Sequence, residues 1–371
     1  MAPLRIGVNA LYLIPGGVGG TEIYLRSLLA ALGEIDAVNQ YVVFTNRETS
    51  ADLAPARPNF LAAPQAVSAR NRPARLLWEQ TMLPRAARQA RLDVLFNAGF
   101  TAPAFCSCPS VTVFHDLQHK RHPEFFRWFD LPFWRIFLYA AAHRSRLLIA
   151  DSDATRADLV RYYRLPEAKI RVIPLGADPV FFELQRGDRR NFLLYVSTLH
   201  PHKNQERLIR AFARFHRKHP EFRLILAGMR GFHAGAVDRQ IAALGLEDAV
   251  QVTGWIPREE LHKLYRDAFA FLYPSEFEGF GIPVLEALAA GIPTACSAIE
   301  PLASLALDAA LQFDPADEGA ILEAMERLTG DRELRQRLAR EGPRRASEFT
   351  WPKCAEATLA AIREAAGARS R

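Results

Sequence analysis

Short apolar runs alternate along this chain with longer segments whose apolar side chains recur at helical spacing, and that alternation restricts the fold more than any other feature. Arg5–Ala10 (RIGVNA), Tyr41–Thr45 (YVVFT), Leu92–Phe96 (LDVLF), Val111–Phe114 (VTVF) and Arg146–Ala150 (RLLIA) read as buried strands. After the first of them, Thr21–Leu32 carries Ile23, Leu25, Leu28, Leu29 and Leu32 at helix-like intervals. Strands separated by helices predict a parallel, doubly wound sheet. The pattern then restarts. Asn191–Val196 (NFLLYV) is a strand, Asn204–His216 is a helix striped by Leu208, Ile209, Phe212 and Phe215, and Arg223–Ala227, Ala249–Thr253, Ala268–Tyr273 and Gly291–Cys296 are further strands. The fold class is therefore α/β, with two Rossmann-like doubly wound domains in series. A length of 371 residues suits two domains, at ~100–200 residues each. Apolar periodicity lapses and charge rises over Val180–Arg190, which predicts domains over 1–185 and 186–350 and a last helix over 351–371.

Composition removes several classes. Hydrophobic residues at 49% and charged residues at 24% exclude a disordered or fibrous chain. The formal net charge of +6 permits anionic partners without demanding nucleic acid, and none is expected. Cys106 and Cys108 form a C-x-C pair with no second pair, so Cys106, Cys108, Cys296 and Cys354 read as reduced thiols of a cytoplasmic protein. Met1–Gly20 lacks a signal-peptide core, and no run reaches the ~18–20 apolar residues of a membrane span.

In open α/β sheets ligands sit beyond the carboxyl ends of strands, and between two such domains they sit in a cleft. The richest segment there is Ser275–Glu286, SEFEGFGIPVLE, following the strand that ends at Tyr273. Gly279 and Gly281 allow a tight turn and close backbone approach. Pro283 suits the first helical turn, whose unpaired amides attract anions. Glu278 and Glu286 then flank that anion site, and carboxylates accept bonds from sugar hydroxyls. A second segment, Ser197–Asn204 (STLHPHKN), places Lys203 as a point charge for a pyrophosphate. A third, Gly16–Gly20, does not satisfy G-x-G-x-x-G, and no acid ends the second strand, which argues against a dinucleotide oxidoreductase. His115-Asp116 follows a strand, where the imidazole can reach a sugar hydroxyl and Asp116 can orient a neighbour. Asp151-Ser152-Asp153 resembles a metal-binding D-x-D string but reads better as a helix cap at Ser152 or Asp153. His115, His119 and His122 are spaced like ligands on a helix, yet Pro123 follows and the segment opens from a strand. No obligatory metal and no resident cofactor are expected.

EGFGIPVLE, with seven residues between Glu278 and Glu286, resembles the signature of family 4 retaining glycosyltransferases with the GT-B fold. The resemblance extends to the Gly16–Gly20 loop, Val113–Asp116, Ile149–Asp158, Val172–Asp178 and Thr198–Asn204. It implies that Glu286 binds the ribose hydroxyls of a nucleoside-diphosphate sugar and that Glu278 lies beside the transferred sugar. It further implies that Lys203, with Thr198 and Asn204, meets the leaving diphosphate, and that Gly279, Phe280, Gly281 and Ile282 hold sugar or phosphate through backbone amides. Gly17, Gly19 and Asp116 complete the donor side, and His115 is brought to the sugar by domain closure. This chain has Ser197-Thr198 where many relatives place Gly-Arg, and His202 where they place Arg. The first domain is expected to bind the acceptor, and the last helix to return to it. GDP-mannose is the first choice of donor and a UDP-sugar the second, with a lipid-linked or growing surface glycan as acceptor. A sugar-nucleotide epimerase of similar fold and a non-catalytic sugar-nucleotide binder are the rivals; product analysis separates the first and turnover the second.

Over 120–146, Lys120, Arg121, Arg127, Arg135, Arg144 and Arg146 are interleaved with Phe125, Phe126, Trp128, Phe129, Phe133, Trp134, Phe137 and Tyr139. Two readings stand: a face for an anionic membrane surface, at the inner side of the cell membrane, and a helix with an aromatic core face and a solvated basic face.

Overall fold

The computed structural model describes residues 2–17, 19–49, 52–126, 128, 131–185 and 190–367. Val18, Arg127, Phe129 and part of the 180–190 segment lie outside the described residues. The chain forms two units. The first runs to Gly176 and includes the segment from Trp351; the second is Ala177–Thr350.

The first unit holds seven strands, β1 (Arg5–Asn9), β2 (Gln40–Thr45), β3 (Phe60–Pro64), β4 (Val94–Asn97), β5 (Ser110–Phe114), β6 (Leu147–Ala150) and β7 (Ile170–Val172). They form one parallel sheet in the order β3-β2-β1-β4-β5-β6-β7. Helices α1 (Gly20–Ile35), α2 (Arg72–Gln89), α3 (Gln118–Arg121), α4 (Leu131–Arg144) and α5 (Asp153–Tyr163) connect the strands. β4, β5 and β6 are buried along their whole lengths, as parallel strands covered on both faces must be. A buried polar chain crosses the sheet. The Asn9 amide donates to Asn97 (3.0 Å), the Asn97 amide to Thr112 (3.2 Å), and the hydroxyls of Thr112 and Ser145 bond at 2.7 Å. Each such bond contributes only about 1 kcal/mol net, but an orphaned member costs about 1–3 kcal/mol, so the chain locks strand register.

In the second unit α6 (Pro179–Phe182) precedes β8 (Phe192–Val196), and α7 (Gln205–His216), β9 (Arg223–Ala227), α8 (Ala234–Ala243), β10 (Val250–Gly254), α9 (Arg258–Asp267) and β11 (Ala270–Tyr273) follow. Next come α10 (Ile282–Ala289), β12 (Thr294–Ser297), α11 (Leu302–Ala306), β13 (Leu311–Phe313), α12 (Glu318–Gly330) and α13 (Arg332–Ala346). The sheet is again parallel, ordered β10-β9-β8-β11-β12-β13. In both sheets the winding reverses between two central strands, β1 and β4 in one and β8 and β11 in the other. The crevice beyond those carboxyl ends is where open sheets bind ligands.

Two differences from the sequence reading have physical causes. β3, β7 and β13 were not expected. All three lie at sheet edges; β7 and β13 have only three residues, and Leu61 of β3 is 57% exposed. The boundary precedes the expected 185/186 because Phe181 of α6 is buried in the second unit, edge-on to His262 (5.2 Å) and Tyr265 (5.0 Å). The last helix, α14 (Trp351–Gly367), packs on α1 within the first unit, burying Trp351, Ala355, Leu359 and Ile362.

α4 turns Leu138, Ala141 and Ala142 into the core and leaves Phe133 (61%), Ile136 (65%) and Tyr139 (52%) exposed. The fully buried face of this helix is therefore aliphatic, Trp134 packs against its edge half-buried, and three large apolar side chains lie on the water side. No described helix is long and apolar enough to cross a membrane.

Candidate active site

The second unit builds its site from the loops after β8 and β11. Beyond Val196 the chain passes Ser197 and Thr198, which run against the loop after β9. Gly228 has φ +143°, and a Cβ there would lie 2.2 Å from the Ser197 carbonyl oxygen. A Cβ on Gly231 would lie 2.4 Å from the Leu199 carbonyl. Glycine is thus required by backbone approach on both sides of Thr198. A single turn, Pro201–Lys203, leads to Asn204 in the left-handed region (φ +61°), where α7 starts.

The two loops are stitched together. The Asn204 amide donates to the carbonyls of Pro274 (3.0 Å) and Pro315 (2.8 Å). Arg207 donates to the side-chain Oδ1 of Asn204, the Glu276 carboxylate and the Pro315 backbone carbonyl at 2.8, 2.6 and 2.7 Å. The Ser275 hydroxyl and the Glu276 amide both donate to the His202 carbonyl (3.1 and 2.8 Å). Both amide hydrogens of Asn204 are engaged inside the unit, so it positions the loop instead of presenting its amide to a ligand.

This stitching brings Lys203 and Glu278 together. The Lys203 ammonium lies 2.6 Å from Glu278 Oε1 and 3.4 Å from the Tyr273 hydroxyl. The two side chains are 15% and 8% exposed. Tyr273 stacks on Tyr195 (5.8 Å), and burial raises both phenols well above their ordinary range, so the floor under the ion pair is neutral and water-poor. Gly281 (φ +109°) starts α10 without a side-chain cap, leaving the first turn reliant on other partners for its amides. Ile282 is the first residue of α10, and Phe280 packs against Phe349 (6.1 Å), which fixes the approach of the Gly279–Gly281 turn.

Glu286, one turn into α10, is 6% exposed and accepts a 2.9 Å bond from the Tyr265 hydroxyl. Burial pushes its carboxyl up to about 7, against the opposing pull of the Tyr265 bond and Arg258. Arg258 pairs with Asp178. Glu286 is therefore half-neutral near pH 7, and a ligand donating hydroxyl hydrogens to it favours its ionised form. A cavity lined by Asn191, Phe192, Arg223 and Gln251 lies at the opposite, amino ends of β8 and β9 and plays no part in this arrangement.

In the first unit, His115 directly follows β5 and is 8% exposed. Its Nδ1 lies 2.6 Å from the Asp151 carboxylate and its Nε2 3.0 Å from the Ala98 carbonyl. Tyr24 and Phe100 meet the ring edge-on at 4.9 and 5.1 Å. Burial disfavours the charged ring, but Asp151 and the Ala98 carbonyl outweigh it and hold the imidazole above its ordinary value. A carbonyl cannot donate, so Nε2 carries a proton, and with both nitrogens facing acceptors the ring is set up as imidazolium. In this arrangement the ring directs neither N–H at a sugar, unlike the sequence expectation. Asp116 accepts from the Gln118 amide (2.9 Å). Ser152 caps α5, accepting from Thr155 at 3.2 Å, Asp153 pairs with Arg156, and Asp151 is the partner of His115. His119 bonds Tyr163 (2.7 Å) and His122 bonds Glu124 (3.0 Å), so the three histidines serve separate partners. In the glycine loop, the Gly16 amide donates to Glu22 (2.7 Å), a Cβ on Gly17 would lie 2.9 Å from Ile14, and Gly19 (φ +56°) precedes α1.

Arg207, Tyr265 and Tyr273 were not singled out from the sequence, and Asp151 stood out only as part of a D-x-D string, not as a partner of His115. Each meets a partner at least 21 positions away in the chain, and no spacing in the sequence marks the role.

Two family models match this chain: "Glycosyltransferase Family 4" over residues 18–181 and "Glycosyl transferases group 1" over 178–345. The chain belongs to the family 4 glycosyltransferases and has the GT-B fold. It is 28% identical to O-antigen chain mannosyltransferase B of Escherichia coli, over 68% of this chain and 70% of that protein. It is 29% identical to the MMP alpha-(1->4)-mannosyltransferase of Mycolicibacterium hassiacum, over 68% of this chain and 64% of that one, less than two thirds of its length. Among solved structures it is similar to Anabaena HepE in complex with UDP and glucose, with a TM-score of 0.76, 19% identity, and coverage of 97% of this chain and 99% of that one.

Proposed function

We propose that the protein moves a hexosyl group, mannose from GDP-mannose in the first instance, onto a glycan or lipid-linked acceptor in surface polysaccharide synthesis, with retention of configuration and without a metal. The observation that carries this reading is the convergence of the Lys203 ammonium and the Glu278 carboxylate, 2.6 Å apart beyond the switch-point strands, beside the start of the helix that bears Glu286. Lys203 and the α10 amides neutralise the departing diphosphate, which is the charge that develops as the glycosidic bond breaks. Glu278 faces the positive sugar centre, and Glu286 accepts bonds from the ribose hydroxyls. His115, paired with Asp151 and bonded to the Ala98 carbonyl, holds the chain just past β5 in order, in the unit that takes the acceptor. The similarity to the two mannosyltransferases favours mannose. The UDP and glucose bound to HepE favour a UDP-sugar as the second reading.

A thermal-shift panel of nucleotide sugars tests the donor. A ligand at 100 times its Kd stabilises the folded chain by about 2.7 kcal/mol. GDP-mannose is expected to raise Tm most, and transfer to persist in chelator. A larger shift with UDP-glucose moves the assignment to the second reading, and loss of turnover in chelator restored by Mn²⁺ removes the metal-free mechanism.

The exposed face of α4 fits an anionic lipid surface. Phe133, Ile136 and Tyr139 point outward, Arg144 lies over exposed Phe105 (4.8 Å) and Arg72 over Trp134 (4.6 Å). Apolar side chains rimmed by arginine suit the headgroup boundary. The double substitution Phe133→Ser/Ile136→Ser is expected to abolish co-sedimentation with phosphatidylglycerol vesicles while leaving the unfolding midpoint unchanged. Undiminished co-sedimentation assigns this face another role.

A further inference from the structure

We infer that nucleotide binding at this site is an exchange of ion-pair partners, in which the diphosphate takes Lys203 away from Glu278, and that the abandoned carboxylate favours release of the sugar-free nucleoside diphosphate. The inference rests on the donor reading above and concerns what the ligand-free pair does to it. Lys203 has three hydrogens to donate. One meets Glu278 at 2.6 Å and another the Tyr273 hydroxyl at 3.4 Å, and Lys203 also lies 5.7 Å from the centre of the Tyr273 ring. Glu278 is 8% exposed in its side chain, so water does little to screen it once Lys203 leaves. Separating a buried pair leaves an uncompensated charge, and that is the costly outcome for such pairs.

The two ligands of the reaction differ at this point. A diphosphate carries more negative charge than one carboxylate and wins the ammonium. With the sugar still attached, its hydroxyls can donate to Glu278 and its developing positive centre attracts it, so the carboxylate regains partners. After transfer the sugar is gone and the diphosphate remains beside a carboxylate that has lost its cation and keeps only the Tyr273 hydroxyl. Glu278 then pulls Lys203 back, and the diphosphate leaves. No covalent step is involved; a single ammonium passes from carboxylate to phosphate and returns.

Calorimetric titration of GDP and UDP, and of the donor found by the thermal-shift panel, into wild type, Glu278→Gln, Lys203→Met and the double variant tests this. Glu278→Gln is expected to bind the preferred diphosphate about tenfold more tightly than wild type, since a carboxamide holds the ammonium weakly. The gain for the sugar-bearing donor is expected to be smaller, and in the Lys203→Met background Glu278→Gln is expected to raise diphosphate affinity clearly less than in wild type, because only charge repulsion then remains. Unchanged or weaker diphosphate binding by Glu278→Gln overturns the exchange. A full gain that survives in the Lys203→Met background also overturns it, because it marks plain charge repulsion without partner exchange. Wild type that binds neither GDP nor UDP defeats the donor reading itself, a different result from either of these.

Discussion

Glu286→Gln is expected to weaken donor binding by roughly 10–100-fold, the loss of charge-assisted bonds to two hydroxyls, and to stabilise the ligand-free protein above pH 7. The carboxyl has an ordinary value of 4.5 and is raised by burial to about 7 in the folded chain. A raised acid favours the folded state while it is protonated. Its contribution is complete below 4.5, where both states hold the proton, and is lost as pH rises through about 7. At pH 8 the folded chain therefore carries a buried carboxylate at a cost of about 3 kcal/mol, at 1.36 kcal/mol per pKa unit. The glutamine variant never ionises, so its unfolding midpoint in urea should exceed that of wild type at pH 8 and converge with it near pH 4.5. Donor binding to wild type at pH 6 should release a proton, read as a dependence of calorimetric heat on buffer ionisation enthalpy. Undiminished donor affinity, or a stability difference that ignores pH, would remove Glu286 from the ribose site.

Gly281→Ala has the second large effect. The backbone there is at φ +109°, and an added Cβ would sit 2.4 Å from Leu302 Cδ2 and 3.4 Å from Leu305 Cδ2. Leu302 is fully buried and Leu305 nearly so, at 4% exposed, so neither has room to yield. Strain of about 1–3 kcal/mol at the backbone adds to about 1–3 kcal/mol of overpacking. The expected result is a loss of about 2–5 kcal/mol in urea unfolding, with weaker nucleotide binding because the start of α10 is displaced. Gly330→Ala is the control. Gly330 ends α12, and its Cβ would meet nothing within 4 Å, so a change below about 1 kcal/mol is expected. Equal effects of the two substitutions would mean that the Gly281 turn does not hold the site.

Most central strands and the main switch-point loops were legible in the sequence because buried parallel strands are near-continuous apolar runs and glycines mark the turns beside them. Three of the four edge strands were not, since a strand paired on one side has no need of such a run; Phe60–Pro64 exposes Leu61, and Ile170–Val172 and Leu311–Phe313 are too short for periodicity. The site divides the same way. Lys203, Glu278 and Glu286 stand out as charged residues just past strands. The tasks of Asn204 and His115 do not, because each depends on carbonyls and acids from other parts of the chain. Asn204 is bonded to Pro274 and Pro315, and His115 to Ala98 and Asp151.

The order of apolar runs and helical stripes along the chain determined a doubly wound α/β architecture twice over, since burial of a strand on both faces is written locally in its side chains. Tertiary structure alone decided that Lys203 rests on Glu278, that Glu286 lies buried under Tyr265, and that Asp151 faces His115. Those pairings join residues 75, 21 and 36 positions apart. Charge and proton affinity at such points are properties of the space the folded chain encloses, and no local stretch of residues encodes them.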